Sequence, residues 1–527
     1  MRGRILKTVR VVAALIFLIL YFLIFLDITS SLQAAFIGYA TYIQFIPSMF
    51  EFIESLALAS AGFLFIILFT VLLGRVYCSF LCPLGIFQDV FLFLKRKFKK
   101  KTRYAYLKPY HAVRYGILFV TVLLWMAGSA FLIIILDPYS IFGRVNVMLF
   151  KPAIAFVNNL ISRILVSFDN YTLIPVDIKI SGMFPLLVTA AFLSLILWMS
   201  LRFGRMYCTH ICPLGTFLGI FSRFSVFRIH INRQYCNSCG KCALECKAGC
   251  IDSRNRKVDL SRCIACYNCL DTCPENGITY GLKRPSQPLD THRSRPDLNK
   301  RKFLAEAGLL IASALSLHHS AFSQYGQREQ RRRGRRKEPI PVSRDHPVIP
   351  PGAESLDNYN SQCTACYLCV SACPTNVIQP ALFAFGWKGV LQPHMDFNLS
   401  FCNFDCTRCG EICPTGAIKP LDVETKKRTQ LGKAEFIKQN CIVYLDDTDC
   451  GACSEHCPTK AVDMEPFRGT LMIPYVRPEI CIGCGACEYA CPTDPKSIFV
   501  NGNPEHVPAE KPKAEQLDAG DTEDFPF

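Results

Sequence analysis

Twenty-four of the chain's 29 cysteines fall into six runs whose spacing suits the ligation of iron–sulfur clusters. Two runs share the spacing CxxCxxCxxxC: Cys236, Cys239, Cys242, Cys246 and Cys263, Cys266, Cys269, Cys273. In such pairs the first three thiolates of a run hold one [4Fe–4S] cubane and the fourth reaches across to the neighbouring one. This predicts one centre on Cys236, Cys239, Cys242 and Cys273 and another on Cys263, Cys266, Cys269 and Cys246. Proline follows Cys273, but Lys247 follows Cys246, and Cys250 stands one helical turn further on as a competing thiol. Four more runs lie downstream: Cys363, Cys366, Cys369, Cys373; Cys402, Cys406, Cys409, Cys413; Cys441, Cys450, Cys453, Cys457; and Cys481, Cys484, Cys487, Cys491. Each fourth cysteine precedes a proline, at Pro374, Pro414, Pro458 and Pro492. The first gap is stretched by one residue in the second of these runs and by six in the third, which a loop absorbs because the cubane fixes only the thiolates. Zinc sites are built instead from two separated pairs, and CxxCxxC spacing is poor geometry for a full disulfide framework. The expectation is about six [4Fe–4S] clusters, and with them one-electron chemistry, since soft thiolates stabilise such cores.

A second constellation is a repeat. Gly74-Arg-Val-Tyr-Cys-Ser-Phe-Leu-Cys-Pro-Leu-Gly-Ile-Phe87 recurs as Gly204-Arg-Met-Tyr-Cys-Thr-His-Ile-Cys-Pro-Leu-Gly-Thr-Phe217, with nine identities in fourteen positions. Each copy closes an apolar stretch on a CxxxCP motif, which suggests two pseudo-symmetric halves with Cys78, Cys82, Cys208 and Cys212 near one another. Three readings are open for these thiols: a further metal centre, a redox disulfide pair, or small packing residues beneath a docked ferredoxin. His210 has no counterpart in the first copy and reads as packing.

The elements that position these groups follow from hydropathy. Val11–Ile28, Ser55–Leu73, Tyr115–Leu136 and Met183–Leu201 are apolar enough and long enough to cross a bilayer. Arg2, Arg4, Lys7 and Arg10 precede the first, and Lys95 to Arg103 follow the second, so both flanks are expected on the cytoplasmic side. Leu32–Glu54 reads as interfacial or re-entrant, and Asp137–Gly182 as an outer loop. The formal charge of +16 is carried largely by such helix-flanking runs, which face anionic lipid, so nucleic acid is not an expected partner. The fold class is therefore a multi-domain chain. A polytopic α-helical membrane domain (1–225, four spans plus a signal-like fifth helix) carries two α+β bacterial ferredoxin-like modules, 226–285 and 353–507. The linker, 286–352, contains an apolar helix at 303–318, then six arginines between Gln327 and Lys337, then a Pro-rich stretch to Pro351. The basic and Pro-rich parts are expected to be disordered, as is the acidic tail 508–527.

The two CxxxCP motifs with a ferredoxin module resemble the NapH/MauN membrane ferredoxins. The second half, with Pro350-Pro-Gly-Ala353, the stretched third run and Cys481-Ile-Gly-Cys-Gly-Ala-Cys487, resembles NapG/MauM. The chain thus looks like a fusion of the two. The resemblance implies an exchange of fourth cysteines between outer and inner runs: Cys363, Cys366, Cys369 with Cys491; Cys481, Cys484, Cys487 with Cys373; Cys402, Cys406, Cys409 with Cys457; and Cys441, Cys450, Cys453 with Cys413. Lys300-Arg-Lys-Phe-Leu304 is similar to a twin-arginine export signal with lysine in the first arginine position. This implies a bacterial inner-membrane protein with the first module cytoplasmic and the second periplasmic, although Arg331 to Lys337 oppose export. The implied function is electron transfer between the quinone pool and a periplasmic oxidoreductase or cytochrome, with quinol dehydrogenase activity as part of a complex. The alternative is a maturation or regulatory ferredoxin that supplies electrons for metalloenzyme assembly. Asp27, Glu51, Glu54 and Asp137, at the edges of the spans, read as solvated or interfacial carboxylates rather than proton relays. His111 and His210 make no haem-ligating pair, so no electron path through the membrane domain is expected, and a diffusing quinone or a partner must connect the two modules.

Overall fold

A computed structural model describes residues 2–27, 32–55, 61–98, 104, 106–177, 182–282 and 339–510. Every element below belongs to one compact unit built from 1–283 and 340–527. The helix expected at 303–318, the export-like residues before it, the arginine-rich stretch after it and the tail beyond residue 510 lie outside the described residues.

Helix α1 (Arg2–Leu26) runs unbroken because its 25 residues contain no proline and its one glycine stands in the first turn. It is one of three helices among the described residues that are long and apolar enough to cross a membrane; the others are Pro138–Val166 and Met183–Phe203. These three do not match the four expected spans one for one. Leu32–Glu54 forms two short helices, α2 (Ala34–Tyr42) and α3 (Phe45–Ser55), and α4 (Gly62–Leu73) follows. Gly62 lets α4 abut α2, since a Cβ there would fall 2.0 Å from the Tyr42 carbonyl oxygen. After Gly74 come α5 (Tyr77–Phe80) and α6 (Pro83–Phe98).

The stretch expected to span at Tyr115–Leu136 breaks into α7 (His111–Met126) and α8 (Phe131–Leu136), because Gly128 adopts φ +77° between them. Most of the expected outer loop is instead a helix: α9 (Pro138–Val145), a π turn (Asn146–Phe150) and α10 (Lys151–Val166), with residues 167–177 non-helical. Asp137 caps it by accepting from the Ser140 amide at 2.8 Å, and Pro138 supplies a pre-set first position. Arg144, Asn146, Lys151 and Arg163 dilute its hydropathy, which hid it in the sequence. Helices α11 (Met183–Phe203) and α12 (Pro213–Ser222) flank the second CxxxCP.

The first module pairs β1 (Phe227–Ile231) antiparallel with the strand Ile278–Leu282 around a small hairpin, Ile251–Asp252 with Lys257–Val258. The second module contains three more antiparallel pairs: Ile378–Pro380 with Pro393–Met395, Thr429–Phe436 with Ile498–Pro508, and Val462–Arg468 with Leu471–Val476. The Pro-rich stretch expected to be disordered is packed from residue 340 onward. The Ile340 amide donates to Asn440 Oδ1 at 2.8 Å, Arg344 pairs with buried Glu488, and Val348 and Ile349 are core residues. Prolines here fit because the segment lies along the module and gives up few backbone donors.

The two modules grip opposite ends of α1. At its start Lys7 Nζ lies 3.0 Å from Asp271 of the first module. At its end the Phe25 carbonyl accepts from Ser371 Oγ of the second at 2.7 Å, and Lys151 Nζ donates to the same hydroxyl at 3.1 Å. Lys419 adds an ion pair with Glu54 at 2.8 Å. Gly143 packs so tightly on the second module that a Cβ would fall 2.2 Å from the Cys366 carbonyl oxygen.

Candidate electron-transfer centres

In every run the third cysteine sits on a short helix: Lys241–Leu244, Asn268–Thr272, Leu368–Ala372, Arg408–Glu411, Ala452–Glu455 and Ala486–Ala490. The first two cysteines lie on the loop before it, except that the helix Ile442–Leu445 separates Cys441 from Cys450, and the fourth leaves the helix toward a neighbouring set. In the first module the sets are those expected. Cys236, Cys239, Cys242 and Cys273 line one cavity, and Cys246, Cys263 and Cys266 surround Cys269. Cys250 is buried in the second set, 3.5 Å from Cys246 Sγ.

In the second module the exchange differs from the one the resemblance implied. Cys373 joins Cys402, Cys406 and Cys409 in one cavity, and Cys413 is the partner of Cys363, Cys366 and Cys369. Likewise Cys491 completes Cys441, Cys450 and Cys453, while Cys457 completes Cys481, Cys484 and Cys487. Adjacent runs therefore pair, because each fourth cysteine has only a short loop to close before the next run folds back on it. The two pairs of sets touch where the Cys402 amide donates to the Cys484 carbonyl at 2.9 Å.

Among the described residues no three His, Cys, Asp or Glu side chains converge as closely as a single ion requires. Burial pushes the Cys363 thiol up to about 12 and the Cys402 thiol up to about 11, so a metal core is needed to hold them as thiolates. This donor set fits iron–sulfur cores. Each fourth cysteine of the second module also faces a hydroxyl two residues on: Thr375, Thr415, Thr459 and Thr493, at 3.6, 3.8, 3.7 and 3.2 Å. The Cys-Pro-Thr triplet, present in all four runs and absent from the first module, was the sequence signal for these residues.

The CxxxCP repeat folds into a pseudo-symmetric pair. Arg75 Nη2 donates to the Cys208 carbonyl at 2.9 Å, and Arg205 Nη1 donates to the Cys78 carbonyl in return. Gly85 and Gly215 leave room for the two guanidiniums, since a Cβ at either would fall within 2.9 Å of one. All four thiols are buried and neighbour one another. Cys212 caps α12, its sulfur accepting from the Gly215 amide at 3.3 Å. Asp89, on α6, collects Arg10, Arg205 and Lys247 at 2.7, 2.8 and 3.0 Å, tying the first module to the repeat.

The remaining sequence candidates have structural work. Glu54 holds Lys419, Asp137 caps α9, Asp27 accepts from the Leu32 amide at 3.0 Å, and Glu51 is exposed. The His210 ring contacts the Thr209 hydroxyl at 2.8 Å, and His111 stacks on Tyr115.

Family models described as a 4Fe-4S binding domain match residues 56–101 and 185–232, and another of that description matches 256–279. Models of a 4Fe-4S dicluster domain match 362–418, which holds the first two runs of the second module, and 448–494, which holds the fourth run and all of the third except Cys441. Among curated proteins, the chain is 28% identical over 214 residues to the ferredoxin-type protein NapH of Escherichia coli (strain K12). That match covers 39% of this chain and 61% of NapH. The chain is also 33% identical over 145 residues to the methylamine utilization ferredoxin-type protein MauM of Methylophilus methylotrophus, covering 26% and 62%. The chain is similar to the NapH/MauN-type membrane ferredoxins. It is similar as well to YccM of Escherichia coli (strain K12), 26% identical over 229 residues, covering 42% of this chain and 55% of that protein. The NapH/MauN-like chain thus spans little more than half the length of these relatives, and relatives of two kinds, each matched over part of it, accord with a fusion. No solved structure matches. All the matched family models are of 4Fe-4S domains, and three helices among the described residues are long and apolar enough to cross a membrane.

Proposed function

We propose that the chain carries electrons between the quinone pool and a periplasmic oxidoreductase, with [4Fe–4S] clusters on the six cysteine sets. The observation that carries the quinone reading is a cleft of about 700 Å³ between α1, α4 and the first module. Its wall is almost wholly apolar, with Phe17, Ile66 and Phe69 from the helices and Tyr77, Tyr267 and Tyr280 among its lining; the Tyr77 and Tyr280 hydroxyls donate to Gln44 and to the Leu73 carbonyl and keep only their oxygens as acceptors. Tyr267 stands next to Cys266, so a ligand in the cleft is beside a cluster-binding loop. An isoprenoid quinol fits such a site: a lipid-soluble tail enters between membrane-type helices and a small polar head meets few hydroxyls. Quinol oxidation releases two electrons and two protons, whereas each cluster takes one electron, so a site next to a chain of centres is suited to it. Sidedness follows the arginines of α1. Arg4, Lys7 and Arg10 favour the cytoplasm for the first module, and the far end of α1, where the second module docks, then faces the periplasm.

The test is quinol-driven reduction of the purified full-length protein followed by EPR. A short-chain quinol is expected to reduce cluster signals, and Ile66→Trp, which fills the cleft, is expected to suppress this while dithionite still reduces them. The reading is overturned if no cluster responds to any quinol. Reduction only by a cytoplasmic ferredoxin or flavoprotein would point to a maturation role.

A further inference from the structure

The four thiols of the CxxxCP repeat lie between the two modules, in surroundings with more buried positive charge than the neighbouring carboxylates neutralise. Arg10, Arg205 and Lys247 share the single carboxylate of Asp89. Arg75, fully buried, meets no carboxylate among the described residues; it donates to the Ser261 and Cys208 carbonyls and lies 3.5 Å from Cys78 Sγ. Buried cations left without counter-charge are strongly unfavourable. An iron–sulfur core on four thiolates is a net anion, and it would sit where that surplus is. The centre that holds Cys263 and Cys266 lies close to Arg10, Arg205 and Lys247 and offsets part of that surplus, while Arg75, 3.5 Å from Cys78 Sγ, faces the four thiols directly.

The first module meets this site directly, and the second is linked to it by way of α9. On the first module's side, Ser79, next to Cys78, donates to the carbonyl of Ala265, next to Cys266, at 3.4 Å. On the other side, Tyr207, next to Cys208, donates to the Leu136 carbonyl at 2.7 Å. Leu136 leads directly into α9, whose Gly143 abuts Cys366. A second route runs from Tyr77, next to Cys78, to Gln44 at 2.8 Å and from Gln44 to Tyr21 at 2.6 Å. The Tyr21 ring meets Tyr139 edge-on at 6.2 Å, and Tyr139 borders Cys366 and Cys413.

We propose that Cys78, Cys82, Cys208 and Cys212 jointly hold one further iron–sulfur cluster, which relays single electrons between the centre on Cys246, Cys263, Cys266 and Cys269 and the centre on Cys363, Cys366, Cys369 and Cys413. In each step one core loses an electron and the next gains it; no bond forms or breaks and no proton moves. This supplies the internal path that the sequence did not show, and it holds whichever donor reduces the first module.

The test compares the full-length protein with Cys82→Ser/Cys212→Ser. The unaltered protein is expected to hold one cluster's worth of iron and acid-labile sulfide more than the six cysteine sets account for, and the variant is expected to lose that increment. In quinone-free proteoliposomes with an impermeant reductant on the first module's side and an acceptor on the other, transfer is expected in the unaltered protein only. Each module of the variant should still be reducible from its own side. Equal iron in both proteins, zinc as the only metal lost, or alkylation of these four thiols in the native iron-loaded protein would overturn the proposal. The iron and sulfide count of the unaltered protein decides the matter even if the variant does not fold. Failure of quinol reduction would leave this count untouched, which separates the two proposals.

Discussion

Asp89→Asn removes the one negative charge that three buried cations share. The side chains of Arg10, Asp89, Arg205 and Lys247 are 5%, 10%, 0% and 9% exposed, and every pairing lies at or below 3.0 Å. Removing one partner of a buried ion pair costs about 3–5 kcal/mol, because the other charge is left without compensation. Three cations are stranded here at once, so the loss should sit at the upper end, about 5 kcal/mol, a large share of the roughly 5–15 kcal/mol that holds a domain folded. Lys247→Met is the control. It removes one cation, keeps the volume and leaves the Lys247 carbonyl that accepts from the Arg205 amide at 2.8 Å, so it should cost less than about 1.5 kcal/mol. Urea unfolding of the full chain in detergent, followed by loss of iron–sulfur absorbance, reads both. The reasoning is refuted if Asp89→Asn unfolds with the unaltered protein, or if Lys247→Met is the more damaging change.

Gly215→Ala should destabilise more than Gly85→Ala, since the new methyl would fall 2.3 Å from the Cys208 carbonyl oxygen against 2.6 Å from that of Cys78; melting temperatures in detergent report the order. Gly143→Leu should wedge the second module off the membrane domain without touching a cysteine, seen as new protease cleavage near Ser371 with the iron content retained. Thr493→Val should lower the potential of the centre completed by Cys491, because a hydroxyl 3.2 Å from its sulfur stabilises the more negative reduced state; about 1 kcal/mol corresponds to roughly 40 mV in an EPR-monitored titration. Cys250→Ala should leave the iron content of the first module unchanged if Cys246 is the ligand. Burial holds the His506 ring at about 4 instead of 6.5, so the fold favours its neutral form. Stability should be flat above pH 6.5 and decline between 6.5 and 4, by about 2 kcal/mol once partial exposure is allowed for, and His506→Gln should flatten that slope in urea midpoints.

The cysteine runs and the CxxxCP repeat were legible because they are local: three thiols around one core require nearby residues, and a short helix after the loop is enough to place them. The first module's exchange of Cys246 and Cys273 was legible for the same reason, with only one neighbouring run available. With four runs the exchange becomes a question of which loops close, and the adjacent pairing of Cys373 with Cys402 and Cys413 with Cys363 is settled by tertiary packing. Helix Pro138–Val166 was hidden because the polar residues of its middle, among them Lys151, which bonds to Ser371 of the second module, lowered the hydropathy that marks a long apolar helix. Asp89 carried no signal at all. A single carboxylate after a CxxxCP motif gives no hint that cations from residues 10, 205 and 247 will converge on it.

Helix α1 ends in contact with a different module at each side, and this makes it a ruler. The 18 residue steps from Lys7 to Phe25, at about 1.5 Å each, set the gap between the Asp271 and Ser371 contacts at roughly 27 Å, a length held by the hydrogen bonds inside the helix. Membranes differ in thickness by several ångströms, and a lone helix answers by tilting. A helix clamped at both ends by folded domains cannot tilt freely. Lipid must thin or thicken around it instead, so the spacing of the two modules is written into the polypeptide and is the same in every bilayer the protein inhabits.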